Sequence, residues 1–580
     1  MTTQSADTAL ASPRVGPAFL PLSRSRMVQW LIFIITAVLV LAPALPILLQ
    51  VFVAGPLYER DWHFTFANIG RLLGNEAIGE IALTTLAFAG LTTVIAQVLG
   101  VAAALLFGRT DMPGRRVMGD MMMWPLYLSH LIMVVGWLIV YGPSGFLTQA
   151  FARMFGDAPW NLYSIPGMAI VAGVSQAPLA YLYCLYGVAR SIDPTLESAA
   201  RTCGAGPLTV MRRVTLPLML PAIVTSSALN IVIAVEMLSI PLFLGRPARI
   251  DTLSSYLYLE GIGASNPQHG MVAASALVLV VLVGATLMLQ RLLLSNGHRY
   301  ETVKGKGTRP APLQLGALKW PLFTLAALYM VFVVLVPILG LVLRAFTSYL
   351  TPLIPVWQVL TLQNFKDVFQ TDAYMRALWN TLIISVAAAG LGTLLTALIA
   401  LVIQRSSFPF RRTLEALAYS PRMVPGLITG LGVFYAAIVF APFGWLRDSI
   451  WILVVAYVMA TIPLGLGAVQ PSVVQIGADL DKAARTVGAD WITSMRRILL
   501  PLMKPALLGC FILLFVVHLK SYVVAIFLMA PGLEIMGVTM LGLWENGAAG
   551  VTAAFATLQI AMIAILLIAA RLVFGVKLYE

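Results

Sequence analysis

The sequence predicts an all-α polytopic membrane protein of about twelve transmembrane helices. They are arranged as two parallel six-helix repeats, each with a mixed polar loop at the cytoplasmic face. Three observations carry that prediction. Hydrophobic residues make up 60% of the 580 and charged residues 11%, with a mean hydropathy of +0.90, whereas a soluble fold spends about a quarter of its residues on charge. Apolar runs of about 20 residues, the length needed to cross a hydrocarbon core about 30 Å thick, recur along the chain. One mixed polar stretch is written twice, as E-S-A-A-R-T-C-G-A-G-P-L-T-V-M-R-R-V-T-L-P-L-M-L-P-A from Glu197 and D-K-A-A-R-T-V-G-A-D-W-I-T-S-M-R-R-I-L-L-P-L-M-K-P-A from Asp481.

The predicted spans of the first half cover about 28–54, 79–107, 119–141, 164–188, 217–245 and 270–294. Those of the second half cover about 321–346, 377–403, 414–441, 448–470, 502–530 and 553–576. The segment before the first span is polar and carries Arg14, Arg24 and Arg26. The apolar run behind it is too long for a cleaved signal peptide, so it reads as an uncleaved first span. Arginines and lysines then fix orientation, because they accumulate on the cytoplasmic side. Arg109, Arg115 and Arg116, Arg405, Arg411 and Arg412, both repeated stretches, and the run R-Y-E-T-V-K-G-K-G-T-R-P from Arg299 all fall on one side. That places both termini and both stretches in the cytoplasm. The net charge of +13 is thus a topology signal and implies no nucleic-acid partner. The three cysteines, Cys184, Cys203 and Cys510, have no paired spacing and suggest neither a disulfide framework nor a metal site.

The repeat extends beyond the two stretches. R-T-D-M-P-G-R-R from Arg109 and R-S-S-F-P-F-R-R from Arg405 share Arg-x-x-x-Pro-x-Arg-Arg at a separation of 296 residues, while the longer stretches stand 284 apart. The difference places about twelve extra residues of the first half near 145–165. Six spans per half is an even number, so the copies share one orientation, related by an axis along the membrane normal. The halves are 1–294 and 321–580, joined by a basic cytoplasmic linker at 295–320.

Each repeated loop, at about 190–217 and 474–501, reads as helix, glycine bend, helix. Asp193 and Pro194 suit a helix cap and first turn. Ala200 propagates the helix, Gly204 breaks it, Pro207 restarts it, and Leu216-Pro217 begins the next span. The second copy uses Gly488, Asp490 as cap, and Leu500-Pro501. One amphipathic loop at a headgroup surface is commonplace, but two copies retaining Ala-Ala-Arg-Thr, Gly-Ala, Met-Arg-Arg and Leu-Pro imply that something docks twice.

These residues resemble the coupling loop of type I binding-protein-dependent ABC import permeases. The resemblance rests on Glu197, Ala199, Ala200, Gly204, Leu216 and Pro217, and on Asp481, Ala483, Ala484, Gly488, Leu500 and Pro501, with Arg201 and Arg485 beside them. Ser198, Lys482 and the aspartate at 481 depart from the pattern, and a shorter carboxylate is expected to alter contacts with the partner. Carrying both copies on one chain, with V-E-M-L-S-I-P-L-F-L-G from Val235, is similar to the fused ferric-iron-type permeases. The resemblance implies a periplasmic binding protein that delivers the cargo and two copies of an ABC ATPase gripping the loops. It implies ferric iron as cargo, with thiamine, a phosphonate or a polyamine as alternatives. ATP and Mg belong to the partner, and no cofactor is expected on this chain. No G-x-x-x-x-G-K-[ST] phosphate loop occurs; Gly305-Lys306-Gly307-Thr308 lacks the upstream glycine and a hydroxyl directly after the lysine. The competing reading is a partner-independent secondary transporter of the major facilitator type, against which the doubled loop argues.

Four polar residues within spans are candidates for the translocation path: Glu236, Arg422, His518 and Lys520. A charge at a helix centre costs about 2.5–3.5 kcal/mol on insertion scales, so it faces a partner or a water-filled route. Glu236 and Lys520 stand at matching positions of the two halves, 284 apart. They read either as an ion pair at the axis or as separate path residues. Arg422 reads either as snorkelling to the inner face or as lining the path. The histidines His63, His130, His269, His298 and His518 lack metal-ligand spacing.

Overall fold

The computed structural model describes residues 24–57, 59, 62–191, 194–263, 269–294, 313–477 and 479–574. Among them nine helices are long and apolar enough to cross a membrane, and counting each of three sharply bent helix pairs as one span raises the number to twelve. The first half contains α1 (Arg24–Val51), α2 (Glu76–Arg109), α3 (His130–Tyr141), α4 (Ile165–Ser191), α5 (Leu220–Val235) and α6 (His269–Leu294). The second contains α7 (Gly316–Ala345), α8 (Asp372–Arg405), α9 (Gly426–Val439), α10 (Trp451–Gln475), α11 (Lys504–Lys520) and α12 (Ala549–Phe574). A two-residue hairpin, β1 (Val53–Ala54) with β2 (His63–Phe64), follows α1. The protein is thus an all-α membrane bundle of two six-span halves. The predicted cap at Asp193, His298 and linker residues 295–312 lie outside the described residues.

The longest helices show why the halves match. Both α2 and α8 run 34 residues and end at an arginine, where Thr110 and Ser406 turn extended ahead of Pro113 and Pro409. The extra residues of the first half form the helix Phe146–Phe155. The linker's end returns to the first half. Leu313 N donates to Arg109 O at 2.7 Å, and Leu315 N and Lys319 Nζ donate to the Asp111 carboxylate at 3.0 and 3.1 Å. These bonds hold the Asp111 carboxyl below its usual range, the Leu315 amide most of all.

Two expectations need correction. The third and ninth spans, expected over about 119–141 and 414–441, are broken helices. Arg115–Met122 and Trp124–Tyr127 precede α3, and Arg411–Met423 meets α9 at 112°. The fifth and eleventh spans were expected to reach 245 and 530, but α5 stops at Val235 and α11 at Lys520. Glu236 and Lys520 therefore sit at helix C-termini rather than mid-helix. Prolines cause the breaks, since Pro125, Pro421 and Pro425 remove backbone donors from otherwise apolar runs.

The halves exchange their first spans. α1 packs on α6 of its own half and on α9 of the other, and α7 packs on α12 and on α3. Glycines at equivalent positions admit this approach. A Cβ at Gly432 would lie 2.5 Å from Pro43 O, and one at Gly136 2.8 Å from Pro337 O. Buried apolar side chains form one core shared by both halves. Toward the repeated loops they divide into two further cores, one for each half, each joined by the first span of the other.

Gly432→Ala should therefore destabilise the bundle by about 1–3 kcal/mol through overpacking against rigid backbone. Gly390→Ala in α8, where a Cβ meets nothing within 4 Å, is the control. Denaturation of the purified protein in mixed micelles measures both, and equal effects would contradict the exchange of first spans.

Candidate functional site

Both repeated loops take the expected shape. The helix Pro194–Thr202 ends at Gly204 with φ +83°, and Asp479–Thr486 ends at Gly488 with φ +82°. In each, the amide after the glycine returns to the helix, Ala205 N to Ala200 O and Ala489 N to Ala484 O, both at 3.0 Å. This closure satisfies the last carbonyls and favours glycine at the left-handed position. The second helix of each loop, Pro207–Val210 or Trp491–Ser494, runs through a π-turn to Leu216–Leu218 or Leu500–Leu502. The chain then bends by 59° into α5 and by 72° into α11. Leu216-Pro217 and Leu500-Pro501 thus lie before the bend, one short segment earlier than expected. Asp490 caps its helix by accepting from Thr493 N at 2.9 Å. Bonds from Thr493 hold its carboxyl below the usual range, so the cap is complete at neutral pH and is lost only as pH falls through that lowered value.

The acidic residues of the motif do not face outward. Glu197 is buried, its carboxylate paired with the Arg109 guanidinium and accepting from Thr215 Oγ1 at 2.9 Å. Asp481 is the counterpart, paired with Arg405 at 3.4 Å and accepting from Ser494 Oγ at 2.9 Å. Within this chain the shorter carboxylate at 481 alters an internal anchor. Arg405 also donates to Val473 O at 2.7 Å and to Ile476 O, at the C-terminal end of α10. Trp491 Nε1 adds a bond to Arg405 O at 3.0 Å. Arg109 and Arg405 open the shared Arg-x-x-x-Pro-x-Arg-Arg motif, so two separately repeated motifs meet in one ion pair per half. The cue for these functional residues was that shared spacing.

The loops expose a mixed set of groups, with Ser198, Thr202, Lys482 and Thr486 open to solvent alongside small and apolar residues. Ala199, Arg201, Cys203 and Gly204 are exposed in the first, as are Ala483, Val487 and Gly488 in the second, with Leu196 and Leu480 beside them. Ala200 is half-buried and Ala484 buried. The side chain of Arg485 lies outside the described set. Arg212 and Arg213, and Arg496 and Arg497, are exposed behind the loops.

The four residues proposed for the path separate. Glu236 and Lys520 do not pair with each other. Glu236 Oε2 accepts from Gly426 N, the first residue of α9, at 3.1 Å. Lys520 Nζ donates to Leu126 O and, at 3.5 Å, to Leu128 O, just before α3. Each charge therefore crosses to a broken helix of the opposite half. Arg422 is exposed in the turn that precedes α9. His518 is buried between α10 and α11, bonded to Thr461 Oγ1 at 3.0 Å and stacked on Tyr457, which makes it a packing residue.

A model of the family described as binding-protein-dependent transport system inner membrane component matches residues 96–296 and 392–576. The ferric transport system permease protein FbpB of Actinobacillus pleuropneumoniae is 26% identical over 533 residues, covering 90% of this chain and 75% of that protein. A putative ferric transport system permease protein FbpB of Haemophilus influenzae is 26% identical over 528 residues, covering 88% and 80%. The spermidine/putrescine transport system permease protein PotC of Escherichia coli is 23% identical over 238 residues, covering 41% of this chain and 88% of its own length.

Removing one member of a buried ion pair leaves the other charge uncompensated. Glu197→Ala should cost about 3–5 kcal/mol of folding free energy. Asp481→Ala should cost less, about 1–3 kcal/mol, because Arg405 keeps its two carbonyl partners. Denaturation in micelles reads both, and a larger loss at Asp481 would contradict the geometry.

Proposed function

The chain belongs to the family of binding-protein-dependent transport system inner membrane components, and on that premise we propose that it forms the whole membrane pathway of its importer, with one ATPase subunit docked on each repeated loop. As a member it is a multi-pass inner-membrane permease of the ABC import class. The family match also removes the reading as a partner-independent secondary transporter. The observation that carries the proposal is the doubled loop itself. Two loops of one shape are each tied inward by an arginine–carboxylate pair and expose small residues beside the glycine bend, Ala199 and Gly204 in one and Ala483 and Gly488 in the other, as a surface built to dock two copies of one partner would.

In this reading ATP and Mg are held by the partner, and the loops and both termini lie in the cytoplasm, the side that the arginine distribution favours. A periplasmic binding protein delivers cargo to the opposite face. Ferric iron is the proposed cargo, because the two relatives named for ferric transport align over nearly the whole chain. The relative named for spermidine and putrescine aligns with less than half of it. The glycine bends set the angle between the two helices of each loop, so a motion of a docked ATPase reaches α5 and α11 through them.

Gly204→Val and Gly488→Val each place a β-branched residue at positive φ, at a cost of about 1–2 kcal/mol or more. Both variants should still insert into the membrane, yet hydrolyse ATP without matching uptake when ATPase and uptake are measured in the same proteoliposomes. Normal transport in both would overturn the docking role. The mass of the purified complex should correspond to one copy of this chain with two ATPases, and a mass requiring two copies of the chain would refute the proposed stoichiometry. Iron uptake that depends on an iron-loaded binding protein tests the cargo.

A further inference from the structure

Glu236 and Lys520 answer a problem that the broken helices create. Gly426 begins α9, where the first amides have no intrahelical carbonyl to bond, while Leu126 and Leu128 present carbonyls where the chain turns before α3. Such groups within the membrane need partners. A carboxylate suits the positive end of a helix and an ammonium the carbonyl end. Glu236 leaves the C-terminus of α5 in the first half to reach Gly426 of the second. Lys520 leaves α11 in the second half to reach Leu126 and Leu128 of the first. The two contacts are related by the pseudo-symmetry of the halves and opposite in sign.

Their position is informative. On the loop side of these residues each half has its own apolar core. Beyond them Leu238, Ile240 and Leu244 of one half and Val524, Ile526 and Leu528 of the other belong to the shared core. Phe243 meets Trp544 across the halves, with ring centroids 5.8 Å apart. The halves are therefore sealed together at the end where a delivered cargo must enter and hold separate cores at the loop end.

We infer that Glu236 and Lys520 form a reciprocal latch, each capping a broken helix of the opposite half, which holds the entry side closed and is released in each transport cycle. The inference rests on the importer reading above. Both are positioning residues, acting through the backbone ends they cap rather than through the cargo.

Gly426 offers a test that leaves Glu236 untouched. It is the first residue of α9 and follows Pro425, whose backbone is already extended. Proline is tolerated at that position and lacks the amide. The experiment reconstitutes the complete complex in proteoliposomes and measures ATP hydrolysis and uptake with and without the binding protein. Stimulation of the unaltered complex by the binding protein is the first readout; its absence would count against the importer reading itself. Given stimulation, Gly426→Pro and Glu236→Ala should each raise unstimulated hydrolysis, by about tenfold or more for loss of one charge-assisted bond, and lower uptake per ATP. Combined, they should be no worse than either alone. Lys520→Met should act likewise and Lys520→Arg, which keeps the cation, should restore coupling. Should Glu236→Ala fail to reach the membrane, Glu236→Gln carries the same comparison. If Gly426→Pro leaves coupling unchanged while a Glu236 variant alters the concentration of loaded binding protein needed for uptake, Glu236 is a cargo contact and the latch is overturned.

Discussion

The arginine–carboxylate pair at the base of each half is the contact on which the loop geometry depends. α2 and α8 are the longest helices and pack closely on α4 and α10, so their terminal arginines are rigid reference points. Glu197 and Asp481 fasten the first helix of each loop to those points, and Thr215 and Ser494 bring the second helix to the same carboxylates. Both arms of a loop are therefore positioned by one acid, buried at Glu197 and part-buried at Asp481. Without it a helix of nine residues has too few intrahelical bonds to hold its place at a membrane surface.

The two anchors are not equivalent, and the difference follows from one methylene. Glutamate at 197 reaches the Arg109 guanidinium in full burial, but Arg109 Nε is left without a partner. Aspartate at 481 falls short, and Arg405 divides its donors between the carboxylate and two carbonyls at the end of α10. The same drift appears deeper in the bundle, where Gln97 bonds Ser226 at 3.0 Å and the equivalent Thr393 approaches Cys510 at 3.8 Å. The geometry of the halves persists while the chemistry of their polar contacts diverges.

Much of this was readable from residue order, and the limits have a physical origin. The number of spans, the exchangeable halves, the glycine bends and the Asp490 cap are local signals: apolar length, spacing, left-handed backbone and a side chain three residues from its amide. The breaks before α3 and α9 were not readable in the same way. Membrane helices tolerate proline when neighbours satisfy the freed backbone, so Pro125, Pro421 and Pro425 fit a kinked span as well as a broken one. The partners that decide the matter, Glu236 and Lys520, lie more than a hundred residues away in sequence. The ion pairs at Arg109 and Arg405 were hidden for a related reason. Both members of each pair recur in both halves, but recurrence does not say which recurring residues touch.

The signs of the two central charges follow from the same geometry. A lone carboxylate and a lone ammonium at equivalent positions suggest attraction to each other, and a pair would need only that they meet. The structure uses them differently because a broken helix has two kinds of end. In the first half the groups facing the other half are the Leu126 and Leu128 carbonyls, which accept only a cation or a donor. In the second the facing group is the Gly426 amide, which accepts only an anion or an acceptor. That second break also carries Arg422, where the first has Leu126. A lysine at 236 would bring a second cation to it and leave the Gly426 amide without its acceptor. Opposite charges at matching positions therefore mark which end of a broken helix each half presents, and the closed arrangement satisfies both ends only while the halves stay together.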